Sequence, residues 1–356
     1  MKNKKLNIYL AVLLVCQFLF VQLISGYPNL IERYYSNGIY PFTSKLLRIL
    51  FGWIPFSFGD LLIWFLLFAF FRFLYRLIKS KFNNWKNNVV QLTAVLSLIY
   101  GCFYWFWGFN YFREPLAKNL GFNQQKYTTK QLTSVTKKIV SDLNAIHFLI
   151  SNNDTLKIDN PYSQKEMYQK AIAGYQNLSK SYPQLSYQYS SVKSSLMSLL
   201  QTYNGTSGYL NPLTGEAQVN DRIPTTGYPT TICHEMAHQI GFAAENEANF
   251  VGYLAALSND DVYFKYAAYR MAFGYLIGEL RRHDKEVYLS VLKTVNKGVL
   301  KDFRASSAFW KQYQNPIEPL IKKGYNSYLK ANKQSKGILS YNYVVDLIIS
   351  YSEEKK

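Results

Sequence analysis

Pro229-Thr-Thr-Ile-Cys-His234-Glu235-Met-Ala-His238-Gln-Ile-Gly241-Phe-Ala-Ala-Glu245-Asn-Glu247-Ala-Asn249-Phe250 reads as a helix, a tight turn and the start of a second helix. Pro229 suits a first helical turn, and Gly241 suits the left-handed residue that ends a helix. Cys233, Met236, Ala237 and Ile240 follow the i, i+3, i+4, i+7 spacing of a core-facing stripe. His234 and His238 form a second stripe beside it, one turn apart, so two imidazoles can reach one ion. Zinc needs a third protein ligand and an open position. Glu245, seven residues past His238 and at the head of the next helix, is preferred over Glu247 for that place. Asn249 shares a helix face with Glu245 and is expected to accept the outer N–H of a ligand histidine. Glu247 is expected to hold a histidine or cap the helix. Glu235, next to His234, is the expected catalytic base. It would take a proton from a zinc-activated water and pass it to the leaving amine. Tyr209, Tyr228 and Arg270 are unranked candidates for stabilising the oxyanion.

Outward from this stretch the chain divides at about residue 112. Three apolar runs, about Leu6–Ser25, Phe58–Ile78 and Val89–Phe109, each reach the roughly 20 residues that cross a bilayer. Arg72 and Arg76 fall near the end of the second, where long cationic side chains reach the headgroups. The first run follows Met-Lys-Asn-Lys-Lys but lacks a small-x-small exit, so it reads as an uncleaved anchor. Lys/Arg bias places the N-terminus and the 72–86 segment in the cytoplasm. Residues 1–112 are then a three-span anchor in the inner membrane, and residues 113–356 an extracytoplasmic domain. Asp60, at a span end, is the one acid in the spans, which makes a channel or transporter a weak reading. Segment 27–57, punctuated by Pro28, Pro41 and Pro55 with a short amphipathic helix at 43–51, is expected to pack on the membrane surface, with sheltering of the site as the alternative.

The soluble part is expected to be mainly α with a small sheet. Helices are expected at about 128–149, 165–179, 190–202, 260–281, 283–298, 307–332 and 340–353. Glu216–Asn220 is expected to form a short strand whose edge pairs with an extended substrate. His147, on an apolar helix, reads as a core histidine. The chain carries 40 Lys/Arg against 22 Asp/Glu, a net charge of +18. Topogenic and dispersed lysines account for the excess, so the expected partner is anionic lipid rather than nucleic acid. Cys16, Cys102 and Cys233 imply no disulfide framework, and nothing in the sequence fixes the oligomeric state.

His234-Glu-x-x-His238 with Glu245-x-x-Ala248-Asn249 resembles the gluzincin peptidases, above all the membrane-bound CAAX-prenyl-protease and heat-shock-protease group. More closely, the three N-terminal spans and Thr214-Gly-Glu-Ala-x-Val-Asn220 ahead of the motif resemble an uncharacterised bacterial membrane family with a zincin-like domain. The gluzincin likeness implies His234, His238 and Glu245 as zinc ligands and Glu235 as the base. Asn249 stands where that group has Asp, and the spacing from His238 to Glu245 is nearer the Gly-turn design of metzincins. The expected activity is hydrolysis of peptide bonds in a peptide or protein of the cell envelope. The alternative is a catalytically silent zincin-like scaffold.

Overall fold

In the computed structural model, residues 2–122, 127–334, 337 and 343–354 are described. Three helices are long and apolar enough to span a membrane: α1 (Lys2–Ile24), α4 (Phe58–Lys79) and α5 (Trp85–Phe106). They expose many Leu, Phe and Ile side chains, as lipid-facing helices do. α1 and α5 pack along each other, while α4 stands apart and buries only Gly59 and Asp60 of its first turn.

The segment between α1 and α4 is a nearly continuous helical run: α2 (Pro28–Leu30), a π-helix over Ile31–Ile39, and α3 (Tyr40–Gly52). One face of it packs on the motif helix. α3 buries Tyr40, Thr43, Ser44, Leu47 and Arg48. The Tyr40 hydroxyl and Ser44 Oγ both donate to the Gln239 carbonyl, at 3.0 and 2.6 Å. These bonds satisfy a carbonyl at the end of the motif helix, where no intrahelical donor is available. The opposite face of α3 leaves Phe42, Leu46, Leu50 and Trp53 exposed.

After the short α6 (Leu116–Asn119), α7 (Thr129–Ser151) and α8 (Gln164–Ser181) start with capping boxes, Thr128/Gln131 and Ser163/Glu166. His147 is buried, with Nε2 on the Leu156 carbonyl and Nδ1 beside Asn296. The helix expected at 190–202 is instead strand β1 (Val192–Ser194) followed by the short α9 (Ser198–Tyr203). Ser195 breaks the run: its hydroxyl donates to Asp60 and accepts from the Met197 N–H.

β2 (Gly208–Leu210) and β3 (Ala217–Val219) complete a mixed sheet of order β1-β3-β2. β1 runs parallel to β3, with Val192 opposite Ala217, and β2 runs antiparallel, with Gly208 opposite Val219. The expected strand is therefore present but is not an edge. Both of its sides are paired, and the edge beside the motif helix is β2.

α10 (Tyr228–Gln239), α11 (Glu245–Leu257) and α12 (Val262–His283) pack with α7 and α8 around Leu132, Leu143, Met167, Phe250 and Phe273. α13 (Lys285–Leu292), α14 (Lys297–Gln312), α15 (Glu318–Ala331) and α16 (Val344–Glu354) follow. The helix expected at 307–332 is cut in two at Asn315-Pro316, where Asn315 Oδ1 accepts from the amides of Ile317 and Glu318. Residues 340–342 of the expected last helix lie outside the described residues.

Contacts cross residue 112 in several places. Glu216 accepts from the amides of Phe58 and Gly59, the first turn of α4. Asp60 accepts from Ser195, the Leu196 N–H and Tyr209. Trp107 Nε1 donates to the His238 carbonyl at 3.2 Å, and Arg113 pairs with Glu32 at 2.7 Å. A fragment of residues 113–356 loses Tyr40, Ser44, Trp107 and Asp60 together, so it is expected to elute as aggregate while the full chain in detergent elutes as one species. Size-exclusion chromatography of the two checks this.

Candidate metal centre

α10 carries its two histidines on the face turned toward α11. Gly241 makes the return possible at φ +95°, and a methyl there would meet the Tyr40 ring at 2.9 Å. At Gly252 the two helices approach so closely that a Cβ would lie 2.8 Å from the His234 backbone nitrogen.

This approach brings His234, His238 and Glu245 together, with one ligand atom from each within 4.8 Å of the others. Glu245 Oε2 is 3.3 Å from His234 Nε2 and 3.7 Å from His238 Nε2. Tetrahedral zinc with bonds of about 2.0–2.1 Å separates its ligand atoms by roughly 3.3 Å, so both the spacing and the N, N, O donor set fit. The His238 ring lies 2.7 Å through Nδ1 from the Phe242 carbonyl, which places the proton of the neutral ring on Nδ1 and makes Nε2 the nitrogen that can bind an ion. Trp107 packs edge-on against the same ring at 5.9 Å. Glu245 sits in the first turn of α11, where negative charge is favoured, and its Oε1 accepts from the Tyr325 hydroxyl at 2.5 Å.

The charges are tightly coupled. Burial pulls the His238 imidazole down, but Glu245 and Glu235 overcome it and lift the group from 6.5 to about 9. Burial pushes Glu245 up, and the two imidazoles outweigh it to hold the carboxyl well below its usual range. Glu235 is raised, chiefly by burial, and its Oε2 has no hydrogen-bond partner.

Two expectations need correction. Among the described residues the Asn249 side chain has no partner for its buried Nδ2, His234 Nδ1 likewise has none, and the outer N–H of His238 goes to the Phe242 carbonyl rather than to Asn249. The Glu247 carboxylate is turned away from the imidazoles and accepts from the Leu116 amide at 2.7 Å, capping α6; burial raises it to about 7. Of the expected oxyanion candidates, Tyr209 is bonded to Asp60 and Tyr228 to Tyr168. Arg270 lines a pocket of about 340 Å³ with Ser207, Thr230, Thr231 and Tyr275. Thr230 and Thr231 lie one turn before His234, so the pocket continues the metal face of α10. Gly208, next to Ser207, is so close to Glu235 that a Cβ would sit 2.7 Å from Oε1.

Trp107, Gly208 and Tyr325 had no signal in the sequence. Each reaches the centre from a distant segment, and none follows a spacing tied to the motif.

Neither a curated protein nor a solved structure matches the chain. A family model described as "Protein of unknown function (DUF3810)" matches residues 35–349, a span that includes α4, α5, the sheet and all three residues of the cluster. By that match, which covers most of its length, the chain is a member of the DUF3810 family.

Proposed function

We propose that the chain is a membrane-anchored zinc metallopeptidase that hydrolyses peptide bonds, with residues 113–356 on the extracytoplasmic side. The observation that carries this reading is the convergence of His234 Nε2, His238 Nε2 and Glu245 Oε2 beside an unpartnered, buried Glu235. A zinc ion held by His234, His238 and Glu245 would supply Lewis acidity toward a substrate carbonyl and toward water. Glu235, raised by burial, is suited to take up a proton and hand it to the departing amine. β2 offers a strand edge close to Glu235 for an extended polypeptide.

The proposed side of the membrane rests on Arg72, Arg76, Lys79, Lys81 and Lys86 at and after the end of α4. Leu199, Leu200, Leu320 and Ile321 of α9 and α15 are exposed like the apolar residues of α3, as a face that meets lipid would be. Both α9 and α15 are tied to span ends, through Leu196 to Asp60 and through Lys333 to the Ser25 carbonyl. The proposed catalytic centre therefore lies at the bilayer surface.

The test uses the full chain in detergent. One zinc per chain and cleavage of a peptide library are expected. Glu235→Gln should keep the zinc and slow cleavage by about a hundredfold or more. Absence of stoichiometric divalent metal would sink the reading. Metal held equally by both proteins with no cleavage by either would leave a scaffold. Gly208→Ala should also keep the zinc while costing about a hundredfold in rate, because the added methyl, held at 2.9 Å by the Gln218 carbonyl of β3, meets the Glu235 carboxylate at 2.7 Å and displaces it.

A further inference from the structure

We infer that Arg270 forms a carboxylate-binding subsite in the pocket beside the metal cluster, so that the chain selects polypeptides carrying a carboxylate a short distance from the bond presented to the cluster. The occupant follows from the peptidase reading; the anion site itself does not depend on it.

Arg270 is half-buried on α12, and its guanidinium lies 4.4 Å over the Phe303 ring. Of the five N–H groups of an arginine, one is used: Nη2 donates to Ser306 Oγ at 2.8 Å. Nε is sealed from solvent without a partner. Nη1 makes no hydrogen bond and faces Gly227, where a Cβ would lie 3.4 Å away. No carboxylate lies within ion-pair distance of this cation among the described residues. The carboxylate that acts on it electrostatically is Asp302, whose Oδ2 already accepts from the Tyr266 hydroxyl and the Ile158 amide.

A half-buried guanidinium with one nitrogen sealed off and most of its donors idle is completed best by something charged. The planar fork of arginine matches a carboxylate, which can accept two of those donors at once. The pocket that Arg270 lines has the volume of a small-ligand site. None of the three cluster residues lines it, but three of its lining residues adjoin the cluster. Thr231 precedes His234 by three residues on one helix face. Ser207 adjoins Gly208, which touches Glu235. Tyr275 stands in the field of Glu245. Tyr275 lies five residues beyond Arg270, about 7–8 Å along α12, or roughly two residues of extended chain. A chain terminus or an Asp/Glu side chain two or three residues from the bond would both reach the guanidinium.

Binding is read on the full-length chain in detergent, zinc-loaded, in the Glu235→Gln background so that no probe is consumed. Three fluorophore-labelled alanyl tetrapeptides serve as probes: one with a free C-terminal carboxylate, its neutral C-terminal amide, and an amide with aspartate at the third position. At least one acidic peptide should bind about tenfold or more tighter than the neutral amide, and whichever does so names the source of the carboxylate. Arg270→Gln should remove the difference, and Arg270→Lys, which keeps the charge without the fork, should retain part of it. Equal binding of all three peptides to the protein with Arg270 intact would overturn the inference, as would a preference that survives in Arg270→Gln. If the chain holds no zinc, the same comparison is made on the metal-free protein. The carboxylate site then stands or falls separately from the peptidase reading.

Discussion

Replacing Glu216 by alanine is expected to destabilise the full chain by about 3–5 kcal/mol, the cost of removing one partner from a buried ion pair. Glu216 and Lys193 meet at 2.5 Å across β3 and β1, with side chains 0% and 6% exposed. The carboxylate also accepts from Thr214 and from the amides of Phe58 and Gly59. Alanine at 216 therefore strands a buried ammonium and two amides at the head of a membrane-spanning helix. Lys193 keeps one acceptor, the Phe51 carbonyl, which is too little to neutralise it. The double substitution Lys193→Met with Glu216→Met should be markedly milder than Glu216→Ala. It removes both charges and roughly preserves volume, leaving neutral groups unmet: the two α4 amides, the Thr214 hydroxyl and the Phe51 carbonyl. Thermal unfolding followed by tryptophan fluorescence checks the pair. An unfolding temperature unchanged in Glu216→Ala would refute the idea that this carboxylate fastens the sheet to α4.

That fastening was not legible in the sequence, whereas the motif was. His234, His238 and Glu245 lie close in the chain, so helix geometry and one glycine turn are enough to bring them together. Helices α7 and α8 were equally readable, from apolar periodicity and from caps that act over three residues. The strands were harder. β1 holds its place through pairing with β3, some 25 residues later, and Val-Lys-Ser alone carries no alternation long enough to distinguish it from a helix. Glu216 and Asp60 looked like a strand residue and a stray acid at a span end. Their partners lie roughly 135–160 residues away in the chain, and only the fold makes Asp60 a junction rather than a sign of transport. Asn249 went wrong for a related reason. Sharing a helix face with Glu245 fixes a direction, but it does not establish that the amide finds the ring nitrogen.

The affinity of the chain for zinc is expected to rise by about two orders of magnitude between pH 6.5 and 9. Without an ion, a proton on His238 occupies the centre: Glu245 and Glu235 lift that imidazole to about 9 against the pull of burial. The ion must displace this proton, so each pH unit below about 9 costs about tenfold in apparent affinity. The stability of the metal-free chain moves the opposite way. A folded-state value above 6.5 means that protonated His238 contributes fully below 6.5 and that its contribution is lost as pH rises through 9. Glu245 is depressed, so it contributes above the ordinary carboxylate value of 4.5 and its contribution is lost as pH falls below that. The metal-free fold is therefore helped by both groups between about 4.5 and 6.5. The rise in unfolding temperature caused by zinc should be smallest near pH 6.5 and largest near 9. Titration against a zinc-buffering chelator gives the affinity, and thermal scans with and without zinc give the stability. An affinity that stays flat across this range would mean that no proton competes for the centre. Glu245→Gln sharpens the test. It removes the larger of the two charges that lift His238, so overall affinity should fall while the pH at which affinity levels off moves down toward 6.5. A loss of affinity without that movement would assign Glu245 a place at the metal but none in holding the proton.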